Sequence, residues 1–154
     1  MSDARWFEID TAIGAAIRYF AWAKSFYAKI PGTNGIEDRH LVEMAFMHAM
    51  QSGHTSLETA LLRILDLCEE TPPTGAAWHA DLIKRAANPV AGRPAILNGT
   101  LEQAADLTRR FRNVAVHAYD TFDYTQATEA VESASVLVSL LPSEIERFRQ
   151  AIDP

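Results

Sequence analysis

Three clusters of proline and glycine cut this chain into stretches with three- and four-residue apolar steps, and that punctuation admits little besides helices packed on helices. The breaks are PGTNG at 31–35, TPPTG at 71–75 and NPVAGRPAILNG at 88–99. Before the first break, Phe7, Ile13, Ala16, Ile17, Phe20 and Phe26 recur at helical steps and predict a helix over 3–30. A second helix is expected over 36–71, bent near Ser52-Gly53, and Pro72 and Pro73 end it because neither can donate a helix hydrogen bond. A shorter third helix is read at 76–87. Thr100 is the expected N-cap of the fourth, with Gln103 completing a capping box, and that helix is read from Leu101 to about Tyr119. DTFDYT forms a turn, and a fifth helix spans roughly 125–151. No strand-like alternation competes with these periods. The expectation is an all-α bundle of about four to five helices in one domain over 1–154, with Leu61, Leu62, Leu65, Val116, Val136, Leu137 and Leu140 in its core.

Size and composition narrow the function. A chain of 154 residues that is 48% hydrophobic can bury a core, so disorder is not expected. Its one cysteine, Cys68, rules out an internal disulfide and a Cys-x-x-Cys metal site. The opening MSDARWFEID lacks the basic-then-apolar order of a signal peptide, and no uncharged apolar run approaches the roughly 20 residues of a membrane span. A cytoplasmic protein without a membrane partner is the default expectation. The net charge of −6 argues against coating nucleic acid by bulk charge. Residues 81–120 nevertheless carry six cations, Lys84, Arg85, Arg93, Arg109, Arg110 and Arg112, against four carboxylates. Such a local patch can meet a phosphate backbone, with Arg109 and Arg110 as candidate RNA contacts.

Other chemistries have weaker support. Helix bundles hold carboxylate-bridged metals through paired Glu-x-x-His motifs. Glu37 and His40 make one such spacing and a second is absent, so no metal site is expected. His48, His54 and His79 read as surface or partly buried histidines, and Met44, Met47 and Met50 as core filling. Cys68 lies beside Glu69 and Glu70, which raise a thiol pKa rather than activate it. No Walker-type glycine loop is present, and no cofactor is expected.

The stretch RFRNVAVHAYD is different. It places Arg112, Asn113, His117, Tyr119 and Asp120 within ten positions. Arg-x4-His alone arises about 0.4 times by chance in a chain of this composition, and requiring the tyrosine lowers that to about 0.01. On an ideal helix Arg112 and Tyr119 lie about 20° apart and Asn113 and His117 about 40°, but Arg112 and His117 diverge by roughly 140°. One straight helix does not aim both at one atom; a bent helix end, or a cleft shared by two copies, does. The residue types suit metal-independent RNA cleavage. A histidine takes the 2′-OH proton, that oxygen attacks the adjacent phosphorus, and an arginine fork stabilises the charge of the pentacovalent transition state. Asn113 can orient the imidazole or a phosphate oxygen. The products are a 2′,3′-cyclic phosphate and a free 5′-OH.

RRFRNVAVHAYD resembles the signature of the HEPN superfamily, an all-α group with many metal-independent ribonucleases, and its Arg-x4-His-x-Tyr form resembles the HepT toxins and HepT-like proteins. HTSLETALLRILDLCEETPPTGAAWHADLIKRAA is similar to the upstream helices of that group, so the resemblance covers roughly 54–120, with the motif on a helix of about 100–120. It implies a homodimer whose two motifs face each other across a cleft, and RNA cleavage by Arg112 and His117 with Asn113 as the polar neighbour. It also implies a toxin–antitoxin pair, in which a nucleotidyltransferase antitoxin silences the toxin by attaching AMP to Tyr119. A non-catalytic HEPN module that binds nucleotides or partners is the alternative.

Overall fold

The computed structural model describes residues 4–117 and 123–153. Among them the chain forms five α-helices and no strand, the all-α bundle that the punctuation predicts.

Helix α1 (Ala4–Lys29) buries Trp6, Ile9, Ile13, Ala16, Phe20 and Ala23, one face of a 3.6-residue period. Phe7 was expected on that face and is instead 72% exposed. It follows Trp6 by about 100° of turn, and Trp6 holds the inward position. The chain reverses through PGTNG, where Gly35 adopts φ +87, a left-handed backbone that favours glycine. Helix α2 (Ile36–Leu67) then runs back along α1 and continues through Ser52 and Gly53 without interruption. Gly53 serves close approach: a Cβ there would stand 2.7 Å from the Phe20 ring. Met50 is buried and Met47 half-buried, but Met44 lies outside, on the turn before α2 meets the core.

Helix α2 stops at Leu67, short of the prolines. The Glu69 amide donates to the Asp66 carbonyl (3.0 Å) and the Glu70 amide to the Leu65 carbonyl (2.9 Å), with Glu69 at φ +60. This is a Schellman closure with glutamate where glycine is usual. Glu70 then grips buried Arg93 through both carboxylate oxygens. The same guanidinium donates to the carbonyls of Asn88 (2.9 Å), Pro94 (3.0 Å) and Arg85 (3.2 Å), so it staples the 88–98 loop to the end of α2. Between them lies α3 (Trp78–Ala86), packed on α2 and on α4 (Gly99–His117).

The cap of α4 is Asn98, not Thr100. The Leu101 amide donates to Asn98 Oδ1 (2.9 Å) and the Glu102 amide to the Asn98 carbonyl (2.9 Å). Thr100 therefore falls inside the first turn. A short 3-10 turn (Tyr124–Ala127), capped by Asp123, leads into α5 (Thr128–Ile152). Leu137, Leu141, Ile145 and Phe148 are the inward stripe of α5.

The core lies between the α1–α2 and α4–α5 pairs, with α2 facing α4 and α1 facing α5. The Phe46 ring joins two pairs by touching Tyr27 (5.1 Å between centroids) and Phe111 (5.4 Å). At the far end the Arg149 guanidinium sits 4.9 Å over the Trp6 ring and 3.4 Å from Asp10, tying α5 to α1. Of the expected core residues, Leu61, Leu65 and Leu137 are buried and Leu62 and Val136 half-buried. Val116 and Leu140 are exposed, because each stands off its helix's inward stripe, next to Ala115 and Leu141 respectively. No helix among the described residues is long and apolar enough to cross a membrane.

Candidate functional site

The last two turns of α4 carry the singled-out residues. Leu101, Ala104, Ala105, Thr108, Phe111 and Ala115 form its inward stripe. Arg112 is next to Phe111 and half-buried, whereas Asn113 and His117 are exposed. The Arg112 Nε is enclosed by protein and meets no hydrogen-bond acceptor. A buried N–H of this kind costs about 1–3 kcal/mol. Because α4 stays helical through His117, Arg112 and His117 remain on different faces of one helix, about 140° apart. The structure thus brings them to the same end of the same helix but not to one point. Tyr119 and Asp120 lie outside the described residues.

The basic patch is less free than its count suggests. Asp106 takes the Arg109 guanidinium at 2.8 Å and that of Arg110 at 2.9 Å. Glu70 takes Arg93 and, at 3.6 Å, Arg85. Four of the six cations are therefore compensated by carboxylates, and among the described residues Lys84 and Arg112 meet none. Arg109 and Arg110 retain N–H groups that could reach a phosphate, but they present little net positive field.

Sequence reasoning missed the polar cluster beneath this helix. His54, expected at or near the surface, is fully buried. Its Nδ1 lies 2.8 Å from Thr108 Oγ1, and that hydroxyl donates to the Ala105 carbonyl at 3.0 Å. The hydroxyl has one proton, so His54 Nδ1 is the donor to Thr108. The Nε2 on the other side faces Glu58 Oε2 at 3.4 Å, and His79 Nδ1 reaches the same oxygen at 2.5 Å. The Trp78 ring stacks on His79, with centroids 3.7 Å apart. This chain of contacts joins α3, α2 and α4, and Thr108 stands one turn before Arg112. Burial pushes the Glu58 carboxyl up, but hydrogen bonds and charge from His54 and His79 outweigh it and hold the carboxyl below its ordinary range. His79 hydrogen-bonds Glu58 Oε2, whereas the buried His54 Nε2 approaches it without forming a hydrogen bond; among the described residues no three ligand-type side chains are disposed to hold a metal. The i, i+4 spacing of His54 and Glu58 was visible in the sequence, whereas the arrival of His79 from α3 was not.

Cys68 offers no activated thiol. Burial and the Glu70 charge push its pKa up, and Arg93 opposes them only in part.

A family model described as HepT-like protein matches residues 45–152, a span that holds α3, α4, α5 and most of α2. Comparison with curated proteins and with solved structures gives no significant match.

Proposed function

This chain belongs to the HepT-like family, which is associated with ribonuclease toxins of toxin–antitoxin systems, and on that premise we propose that it is a metal-independent endoribonuclease. The observation that carries the reading is the pairing of a family match with Arg112, Asn113 and His117 on the final turns of α4. In this reading His117 removes the 2′-OH proton and that oxygen attacks phosphorus. The P–O bond to the 5′-oxygen breaks, that oxygen takes a proton from water, and a 2′,3′-cyclic phosphate and a 5′-OH result. Arg112 stabilises the transition-state charge and Asn113 orients a phosphate oxygen or the imidazole. The 140° divergence is met by a homodimer in which Arg112 of one protomer works with His117 of its partner across a cleft. Arg109 and Arg110 are secondary phosphate contacts. A nucleotidyltransferase antitoxin silences the toxin by transferring AMP from ATP to the Tyr119 hydroxyl, with pyrophosphate as the leaving group.

One observation favours a second reading, a HEPN module that binds nucleotides or a partner and cuts nothing: Asp106 compensates the two arginines next to the motif. The deciding experiment incubates the protein with total RNA in EDTA beside His117→Ala. His117 is exposed, so the variant keeps its fold. Cleavage by the wild type alone, leaving cyclic phosphate ends, supports the ribonuclease. If neither protein cuts and the mass of the wild type shows no added AMP, the binding module takes its place.

A further inference from the structure

We infer that the outer face of α1 is a stacking platform for single-stranded nucleic acid. The inference rests on the ribonuclease reading in one respect only: the strand held there is the one presented to α4. Helix α1 lies outside the region matched by the family, so the platform belongs to this chain rather than to the family pattern.

The first observation is charge. Between Asp10 and Glu37 the chain has no carboxylate, and it carries Arg18, Lys24 and Lys29. Among the described residues none of these three meets a carboxylate. Lys24 donates to Ser135 Oγ (3.2 Å), and Arg18 and Lys29 lie against rings. The contrast with α4 and the 88–98 loop, where Asp106 and Glu70 neutralise the arginines, is direct. On a chain of net charge −6, cations without compensation collect on α1.

The second observation is the interleaving of rings with those charges. Arg18, Trp22, Ser25 and Lys29 step by four, three and four, and all four are exposed, which makes one stripe about 17 Å long. Tyr19 and Phe26 flank it, half-buried. Trp22, a large apolar ring, is 47% exposed. Tyr19 and Trp22 stand edge to face at 5.6 Å and 82°, and His48 of α2 meets Tyr19 in the same manner at 6.2 Å. The Arg18 guanidinium is 5.9 Å from both ring centroids, and the Lys29 ammonium is 5.9 Å over Phe26. Rings that accept a base on their faces, with cations at each end for the flanking phosphates, are the parts that sequence-tolerant single-strand binding needs. Glu43, on the neighbouring stretch of α2, is held by Arg39 at 3.4 Å.

A second copy of the chain is the competing occupant. A two-fold contact through this stripe sets Arg18 and Lys29 against the same cations of the partner, which is repulsive. A polyanion has the complementary charge. The platform and the candidate site flank the same helix: His48 faces Tyr19, and Phe46, about 160° away around α2, touches Phe111, the neighbour of Arg112. The width of α2 separates the two.

The test uses 2′-O-methyl oligouridylate, which lacks the attacking hydroxyl and stays intact on the wild-type protein. Binding is read by tryptophan fluorescence and repeated over a range of salt. Trp6 is buried and Trp78 lies half-buried against His79, so quenching is expected to come from Trp22. Trp22→Ala is expected to abolish the quenching and weaken binding about tenfold, while Trp22→Tyr keeps most of the affinity. Arg18→Gln with Lys29→Gln is expected to flatten the slope of log K against log salt by about 1.4. Absence of binding, or affinity indifferent to these variants, overturns the platform. So does sedimentation showing that Trp22→Ala splits a dimer, which assigns the face to a second copy. The two readings fail separately. Trp22-dependent binding without cleavage of unmodified RNA keeps the platform and removes the ribonuclease, and cleavage with Trp22-independent binding does the reverse.

Discussion

Glu58 is a carboxylate that the interior would reject if it stood alone, and it is kept ionised by the two imidazoles that share its Oε2. Its folded pKa lies below the unfolded value, so the stabilisation it gives is fully present above that value and is lost as pH falls through the folded one. Chemical denaturation of the wild type is therefore expected to show stability declining below about pH 5. Glu58→Gln should lie about 2 kcal/mol lower at pH 7 and converge with the wild type in acid. Parallel curves across that range would contradict the role given to the carboxylate. At this scale the sequence was partly legible. RFRNVAVHAYD singled out Arg112 and His117 by type and spacing, and the structure puts both on the final turns of α4. The burial of His54 was not announced, because an isolated histidine on a helix reads alike whether Thr108 meets it or water does.

The ends of the helices show where local pattern misleads. Thr100 and Gln103 have the residues of a capping box, but Asn98 stands two places earlier and its Oδ1 meets the Leu101 amide first. Asn98→Ala is expected to cost about 1 kcal/mol and Thr100→Ala less than about 0.5, measured by thermal or urea unfolding. The reverse order would restore the threonine as cap. At the other end of α2, Glu69 occupies a left-handed backbone position and places a negative charge beside the helix C-terminus. Glu69→Gly relieves both and should stabilise the protein by about 1 kcal/mol, seen as a raised Tm. The sequence signal for such a closure is glycine, so the stop at Leu67 was hidden and the prolines at 72 and 73 drew the expected boundary outward. Helix existence and order were legible throughout, because the apolar periods are long and the Pro/Gly clusters sharp.

For the whole molecule, counting charges along the chain gave a basic patch, and folding it changed the answer. Carboxylates from other turns and other elements meet four of its six cations, and no linear count contains those meetings. The 140° between Arg112 and His117 likewise becomes a question about assembly. If each active centre takes its arginine from one protomer and its histidine from the partner, mixing inactive Arg112→Ala with inactive His117→Ala should recover about a quarter of the wild-type cleavage, since half the dimers are mixed and each has one intact centre. A mixture that stays inactive would place both residues of a centre on one chain. The closing of α5 over α1, with Arg149 against Trp6 and Asp10, has a consequence during synthesis. The inner face of α1 is covered by α5, which is made more than a hundred residues later. At ordinary elongation rates Trp6 and its neighbours wait on the order of ten seconds for that cover. Through that interval the apolar face of α1 has α2 alone to rest on, and the motif on α4 emerges before the scaffold that holds it is complete.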